Sequence, residues 1–121
     1  MTLSRLILET GMGADFYGED YTKAACRAVK DAIHHSSISM FRSLNLDSKK
    51  MRVQVLIGVA RPDLVDSAAV KKILPHGLVS VDVVRGGLNI NDPGNESISI
   101  IATAAVEALY EIDKSKFRKI N

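Results

Sequence analysis

The chain has 121 residues, 46% of them hydrophobic, and a formal net charge of +2. A chain of this length folds as one domain without needing a metal or a disulfide, and Cys26, its single cysteine, has no partner within the chain. The aromatic content of 5% and the absence of tryptophan argue against recognition of single-stranded nucleic acid by base stacking. Because the sequence has no apolar leader and no run of about 18 apolar residues, we expect a cytoplasmic protein without a membrane partner.

The positive charge is concentrated at the carboxyl end of the chain. Four basic residues lie among the last eight: Lys114, Lys116, Arg118 and Lys119. We therefore predict a mildly acidic single domain over residues 1–113 and a basic, flexible tail over residues 114–121. Such a tail is more typical of a solvated terminus than of a phosphate or membrane contact, so we expect no nucleic-acid partner.

A strand and a helix are predicted in the first third of the chain. Residues 3–10 are predicted to form the strand, since apolar residues alternate there with their neighbours. A glycine-rich turn is expected next, and Asp20 is then a favourable N-cap for the helix. The helical spacing of apolar residues continues through Leu44, with an expected kink at Ser36-Ser37. Its first half contains Ala25, Ala28, Val29, Ala32 and Ile33.

Two further strands and a short helix are predicted in the middle of the chain. The strand over residues 51–59 alternates apolar and polar residues and ends before Pro62, which lacks a ladder donor. Asp66 is predicted to cap a short helix, which Pro75-His76-Gly77 ends. Three valines at alternate positions predict the next strand, which Gly86-Gly87 closes: Val79, Val81 and Val83.

The last predicted element is ambiguous between helix and strand. Residues 89–97 are rich in turn residues, and residues 98–112 fit the apolar period of either element. We favour a strand to about residue 106, because β-branched residues dominate the first half. The order β-α-β-α-β-β predicts an α+β fold with a mixed sheet of about four strands and two helices on one face. Two helices leave the other face uncovered, so we expect it to pack against copies of the chain in a homo-oligomer, with a trimer or higher assembly open.

One long motif and several short ones carry a family resemblance. The long motif is Glu9-x-Gly11-Met12-Gly13-x-Asp15, followed by Gly18-x-Asp20-x-Thr22-Lys23-Ala24-Ala25-x-Arg27-Ala28-Val29-x-Asp31-Ala32-Ile33. The short motifs are Met51-Arg52-Val53-x-Val55, Arg61-Pro62, Val65-Asp66, Leu74-Pro75-x-Gly77 and Gly86-Gly87. Over about residues 5 to 106 the chain resembles the Lin family of conserved hypothetical proteins, which has no established activity. It departs from that family at His76, where an aromatic residue is as often expected, and at Phe16-Tyr17, where relatives tend to carry leucine and histidine. The second departure weakens any metal-binding or acid–base role that a histidine in this loop would support.

A second resemblance concerns the spacing between Gly11-x-Gly13 and Asp20-Tyr21-Thr22-Lys23. The spacing is similar to the start of each repeat in the ring-opening amidohydrolases, the cyanuric acid hydrolase and barbiturase group, which join three repeats of about this size. The resemblance implies that a trimer of this chain imitates that architecture. The family's lysine falls near residues 8–9 and its serine near residues 57–58, where this chain has neither residue type. Acyl transfer by that route is therefore unsupported.

Glu9 and Asp15 are the candidate catalytic residues. They flank Gly11 and Gly13, whose backbone N–H groups are candidate ligand donors. A turn that brings the two carboxylates together would raise the pKa of one of them into the range of a general base. The sequence leaves a structural alternative equally open, in which Asp15 caps the turn and Glu9 is a solvated strand residue. The glycines also fit a plain tight turn, because the third glycine of a nucleotide fingerprint is missing.

Four further residues are candidate ligand contacts: Lys23, Arg61, His76 and Arg85. The lysine lies in the first turn of the predicted helix, and each arginine ends a predicted strand, a position typical of anion-binding side chains. The structural alternatives are a solvated lysine and salt bridges at the rim of the sheet. No metal site and no cofactor are predicted, because His34 and His35 are adjacent and point to different faces of a helix.

Two functions remain open from the sequence. The first is a small-molecule binding protein or enzyme that acts on a polar or anionic metabolite or heterocycle at a subunit boundary, with an acid as general base. The second is a non-catalytic, homo-oligomeric binding or scaffold protein in which the glycine-rich turn is only a connection. Nucleic-acid binding through the basic tail is the least supported alternative.

Overall fold

The computed structural model describes residues 2–34, 51–74, 78–94 and 96–112. In chain order it contains β1 (Thr2–Asp15), α1 (Tyr21–His34), β2 (Arg52–Val59), a 3-10 turn (Pro62–Leu64), α2 (Ser67–Lys71), β3 (Leu78–Arg85), β4 (Leu88–Asp92) and β5 (Ser97–Ile112). The predicted α+β class is confirmed, with five strands where about four were expected. The additional strand, β4, occupies the first part of the predicted loop. The second half of the first helix, Pro75-His76-Gly77 and the basic tail lie outside the described residues.

The longest strand, β5, lies at the centre of the sheet. The strand order is β1-β5-β2-β3, and β4 pairs with β5 beyond the end of β2. β5 is antiparallel to β1, β2 and β4, whereas β2 and β3 are parallel. The strands β1, β2 and β3 therefore run in the same direction, and their carboxyl ends lie at one edge of the sheet.

The final segment of the described chain is a strand through Ile112, so the expected strand end near residue 106 is too early. The even-numbered residues from Ile100 to Ala108 are buried, and the odd-numbered residues between them face the other side of the sheet. This alternation is the two-residue period of a strand. A helical period was also visible because small alanines on both faces satisfy either pattern.

The first strand extends to Asp15 and contains the residues that were predicted to form a glycine-rich turn. Gly11 and Gly13 pair with Ala104 and Ala102 of β5, so the turn prediction is wrong. Neither glycine has a positive φ. The glycines are needed for a different reason, because a Cβ atom at either position would overlap the backbone of α1.

The helix α1 lies directly against these two glycines. A Cβ at Gly11 would meet backbone atoms of Ala28 and Ala32, and a Cβ at Gly13 would meet those of Ala24 and Ala28. The three alanines recur every four residues and are fully buried. Small residues on both elements thus allow an approach of backbone to backbone that any larger side chain would prevent.

Aspartate side chains cap both helices, as predicted. Asp20 Oδ1 accepts a hydrogen bond from Lys23 N at 3.0 Å, and Asp66 Oδ1 accepts one from Ala68 N at 3.0 Å. Thr22 joins the two helix starts, because its Oγ1 accepts a hydrogen bond from Asp66 N at 2.9 Å. The caps therefore fix where each helix begins and how the two helices meet.

The helices pack on one face of the sheet, as predicted, and leave the other face uncovered by the described residues. We call this second face the open face. It carries seven of the large apolar side chains that the described part of the chain exposes: Leu8, Met12, Leu56, Leu78, Val84, Leu88 and Ile90. The expectation that copies of the chain cover the open face stays a prediction.

Replacing Gly13 with alanine should destabilise the fold. The added methyl group would overlap backbone atoms of Ala24 and Ala28, so the helix or the strand has to move. We expect the free energy of unfolding to fall by about 2 kcal/mol or more, as for other overpacked contacts. Gly94→Ala is the matched control, because a Cβ at Gly94 would meet only Asp92 Oδ1, at 3.4 Å. Urea denaturation followed by circular dichroism measures both variants, and equal stabilities would contradict the proposed close contact.

Candidate functional site

The two candidate catalytic carboxylates do not meet. Glu9 and Asp15 belong to the same extended strand, in which six residues span about 20 Å. Gly11 and Gly13 lie between them beneath α1, so no turn folds one carboxylate back toward the other. The predicted convergence of Glu9 and Asp15 is therefore wrong, and a mechanism that depends on their mutual repulsion loses its geometric basis.

The carboxylate of Asp15 organises the loop between β1 and α1. Asp15 is 5% exposed, its Oδ2 accepts a hydrogen bond from Asp20 N at 2.9 Å, and its Oδ1 lies 3.4 Å from Arg27 Nη1. A Cβ at Gly18 would lie 2.8 Å from Asp15 Oδ2, so the loop passes close to the carboxylate. These contacts compensate the burial of a charge and match the alternative in which Asp15 caps the connection.

The two candidate arginines lie at the carboxyl ends of neighbouring parallel strands. Arg61 follows β2 and donates hydrogen bonds to Asp63 from Nε and Nη2, at 3.4 and 3.3 Å. This hydrogen bonding raises the pKa of Arg61 and lowers the pKa of Asp63. Both side chains are more than half exposed, so water screens the pair. Arg85 ends β3 and forms no hydrogen bond or ion pair with its side chain within the described ranges.

The remaining predicted ligand contacts are placed in three different ways. Lys23 is exposed in the first turn of α1, at a distance from the open face. Gly11 and Gly13 are paired with β5 and covered by α1, so they are not a loop of free N–H donors. His76 lies outside the described residues, and its role stays a prediction.

A hollow of about 680 Å³ lies on the open face of the sheet. Its volume is in the range of small-molecule sites. Residues of β1, β2, β3 and β5 line it, among them Thr10, Met12, Leu56, Gly58, Val84 and Thr103. Two of the predicted site residues, Gly11 and Arg85, also contribute to its lining.

The hollow forms because small residues occupy the middle of a transverse row across the sheet. Met12 lies opposite Thr103, Thr103 lies opposite Gly58, and Gly58 lies opposite Val84. The longer side chains of Met12 and Val84 stand at the two ends of this row, whereas Gly58 has no side chain. A Cβ at Gly58 would lie 2.8 Å from Thr103 Oγ1. The absent side chain therefore makes room for the Thr103 hydroxyl group and for the backbone of Gly86-Gly87, which lies 3.4 to 3.5 Å from the same position. These groups form the low floor of the hollow.

The polar groups around the hollow are few and differ in their availability. Thr10 and Thr103 supply hydroxyl groups, and Arg85 supplies the one positive charge among the lining residues. Asp31 supplies the one carboxylate, and its Oδ2 accepts a hydrogen bond from Met12 N at 3.0 Å. A mostly apolar hollow with one available cation is suited to a small anionic molecule with an apolar ring or chain.

Several residues of the hollow were missed from the sequence. Thr103 and Ala105 belong to the segment that was ambiguous between helix and strand, and Leu56 and Gly58 were assigned only to a strand. The alternating pattern along β2 and β5 indicates which residues face away from the helices. The register that places Gly58 next to Thr103 is a contact between distant segments, and no local pattern predicts it.

The described part of the chain offers no cluster of metal-binding side chains. No group of three or more histidine, cysteine, aspartate or glutamate residues within those ranges is arranged to hold a metal ion. Among the same residues, no helix combines the length and the apolar character that a membrane crossing requires.

Comparisons with known proteins establish the family of the chain. A family described as a conserved hypothetical protein (Lin0512_fam) matches residues 5–108. The chain is also similar to the crystal structure of an FtsZ-like protein of unknown function from Nostoc punctiforme PCC 73102, with 33% sequence identity and a TM-score of 0.80. That similarity covers 93% of this chain and 99% of the other. A comparison with curated proteins found no match. The resemblance to the Lin family is confirmed, and the chain belongs to the Lin0512 family of conserved hypothetical proteins.

Proposed function

We propose that the chain is a homo-oligomeric protein that binds a small anionic metabolite or heterocycle in the hollow on the open face, at a boundary between subunits. The observation that carries this proposal is the hollow itself, with apolar walls and with Arg85 at its margin. The Arg85 side chain forms no hydrogen bond or ion pair with a described carboxylate, and its charge only helps to lower the pKa of nearby Asp63. Such an arginine favours a ligand that brings a carboxylate or phosphate group. The hydroxyl groups of Thr10 and Thr103 would orient the polar part of such a ligand.

The open face supports the placement of the hollow at a subunit boundary. Soluble monomers rarely expose apolar patches of more than a few hundred Å². A face of four strands and eight residues measures about 20 by 26 Å, which is about 500 Å² for each subunit. This area includes exposed polar side chains (Arg52, Gln54, Ser80 and Asp82) as well as the apolar ones. Two such faces together reach the total of about 1,000 Å² that a specific interface needs. A second copy of the chain would then close the hollow from above and exclude water from its ligand.

Ligand binding is better supported than catalysis. Glu9 and Asp15 are far apart in one strand, so they do not provide a shared general base. The carboxylate that does line the hollow belongs to Asp31, and it accepts a hydrogen bond from Met12 N at the edge of β1. We therefore propose a binding protein, and an enzymatic role would have to draw on a catalytic group from a second subunit. A scaffold without a ligand is the second candidate, because the exposed apolar side chains favour assembly regardless of the hollow.

Substitution of Arg85 should weaken the binding of anionic ligands. The probes are carboxylated heterocycles and nucleoside monophosphates, screened by thermal shift and then titrated by calorimetry. For a probe that binds the wild-type protein, we expect Arg85→Gln to raise the dissociation constant about tenfold or more, as for loss of a charged hydrogen bond. Arg52→Gln is the matched control, because Arg52 is exposed on β2 away from the hollow. Equal affinities for the wild-type protein and the Arg85 variant would contradict the proposed role of Arg85.

Filling the hollow should separate the ligand-binding function from a scaffold function. Ala105 lines the hollow and is only partly buried, so Ala105→Leu adds volume without disturbing the core beneath α1. We expect this variant to lose the thermal shift with every probe that stabilises the wild-type protein and to keep its oligomeric state. If no probe stabilises the wild-type protein while assembly persists, the scaffold function is favoured.

Removing apolar side chains from the open face should reduce the mass of the assembly. The triple variant Met12→Ser, Leu56→Ser, Leu88→Ser changes three side chains that are 61%, 48% and 61% exposed, so we expect the chain to remain folded. Sedimentation equilibrium should give a smaller mass for this variant than for the wild-type protein, because less apolar area is buried between subunits. A wild-type mass equal to the 13.2 kDa of one chain would refute the oligomer.

A further inference from the structure

The two outer strands of the sheet are protected to different degrees. At the edge of β1, two side chains of α1 bond the strand backbone: Asp31 Oδ2 accepts from Met12 N at 3.0 Å, and Arg27 Nη1 donates to Ala14 O at 2.6 Å. The carboxylate and the guanidinium occupy positions that an added strand would need. The helix therefore blocks this part of the β1 edge against pairing with another chain.

The outer edge of β3 has no such protection within the described ranges. At both ends of β3 the backbone groups of even-numbered residues point toward β2. Leu78 N donates a hydrogen bond to Met51 O at 2.8 Å, and Gly86 N donates one to Val59 O at 2.8 Å. Backbone groups alternate between the two sides of a strand, so those of the intervening valines face outward. These valines are Val79, Val81 and Val83. No hydrogen bond from another described residue reaches their outward N–H or C=O groups.

We propose that β3 pairs antiparallel with β3 of a second copy of the chain, about a two-fold axis at Val81. Val81 then lies opposite the partner's Val81, and Val79 lies opposite the partner's Val83. These are the residues with outward backbone groups, so the pairing makes about six new hydrogen bonds. The two sheets become one continuous sheet whose open faces lie on the same side.

The side chains of β3 select this register over its neighbours. On the open face, Ser80 lies opposite the partner's Asp82, which a hydroxyl group can bond, and Leu78 lies opposite the partner's Val84. A register centred on Asp82 would instead place Asp82 opposite the partner's Asp82, which is destabilising. A register centred on Ser80 would place Leu78 opposite the partner's Asp82 and shorten the ladder. The pairing about Val81 is therefore the self-complementary one.

The pairing also gives a role to Leu78, which is 65% exposed in the single chain. Its apolar side chain would pack against the partner's Val84 across the two-fold axis. Since Val84 lines the hollow, each subunit would contribute Leu78 to the rim of its partner's hollow. The pairing does not depend on a ligand and stands apart from the packing of open faces against each other.

A charge exchange along β3 tests the pairing. Ser80→Asp places two aspartates opposite each other at both symmetric positions, and we expect the dimer dissociation constant to rise about tenfold or more. The double variant Ser80→Asp, Asp82→Ser exchanges the two side chains and should restore the wild-type dissociation constant. Both side chains are exposed, so the fold of each chain is unaffected. Sedimentation equilibrium over a concentration series, at low and at high salt, measures each constant.

The triple variant of the open face separates this interface from the packing of open faces. The triple variant should sediment as a dimer held by β3, and its combination with Ser80→Asp should give the 13.2 kDa of one chain. A monomeric triple variant would overturn the β3 pairing while leaving the open-face interface intact. Equal dissociation constants for the wild-type protein and Ser80→Asp, or no recovery in the double variant, would also overturn it.

Discussion

The contact between α1 and the glycines of β1 is the constraint on which the rest of the structure depends. Because Gly11 and Gly13 have no Cβ atoms, the alanine stripe of α1 reaches the backbone of the sheet. This approach fixes the helix above β1 and β5, which decides which face of the sheet is covered. It also carries Arg27 and Asp31 to the strand edge, where they bond its outward backbone groups.

Small residues permit close contacts on both faces of the same sheet. On the covered face, missing side chains admit a helix and produce close packing. On the open face, a Cβ at Gly58 would lie within 3.5 Å of Thr103 Oγ1, Gly86 Cα and Gly87 N. These small groups form a low floor, and the hollow lies above it. The chain thus combines a face that α1 covers closely with an open face that exposes apolar side chains, and the proposed binding site belongs to the open face.

The features that were predictable from the sequence are those set by local chemistry. The N-caps at Asp20 and Asp66 and the alternation along β2 depend on residues close in the chain, and the structure matches them. The residues around Gly11 and Gly13 were misinterpreted because a glycine pair fits a turn as well as a strand beneath a helix. Only the distant alanines of α1 decide between the two. The hollow was missed for the same reason, since it depends on the register between β2 and β5.

The two-residue link after β3, Gly86-Gly87, determines which residues of β4 lie on the open face of the sheet. Gly87 adopts a φ of +62°, and a Cβ there would overlap Ile101 O. The chain therefore passes from β3 to the side of β5 in close contact with the backbone of β5. Because successive strand residues point to opposite sides, loss of a single residue from this link would invert β4. Leu88 would then point to the face of the sheet that the helices cover, and Asn89 would lose its 2.7 Å hydrogen bond with Tyr21 Oη. The length of this link, as much as its composition, therefore keeps the apolar Leu88 on the open face and Asn89 on the face that the helices cover.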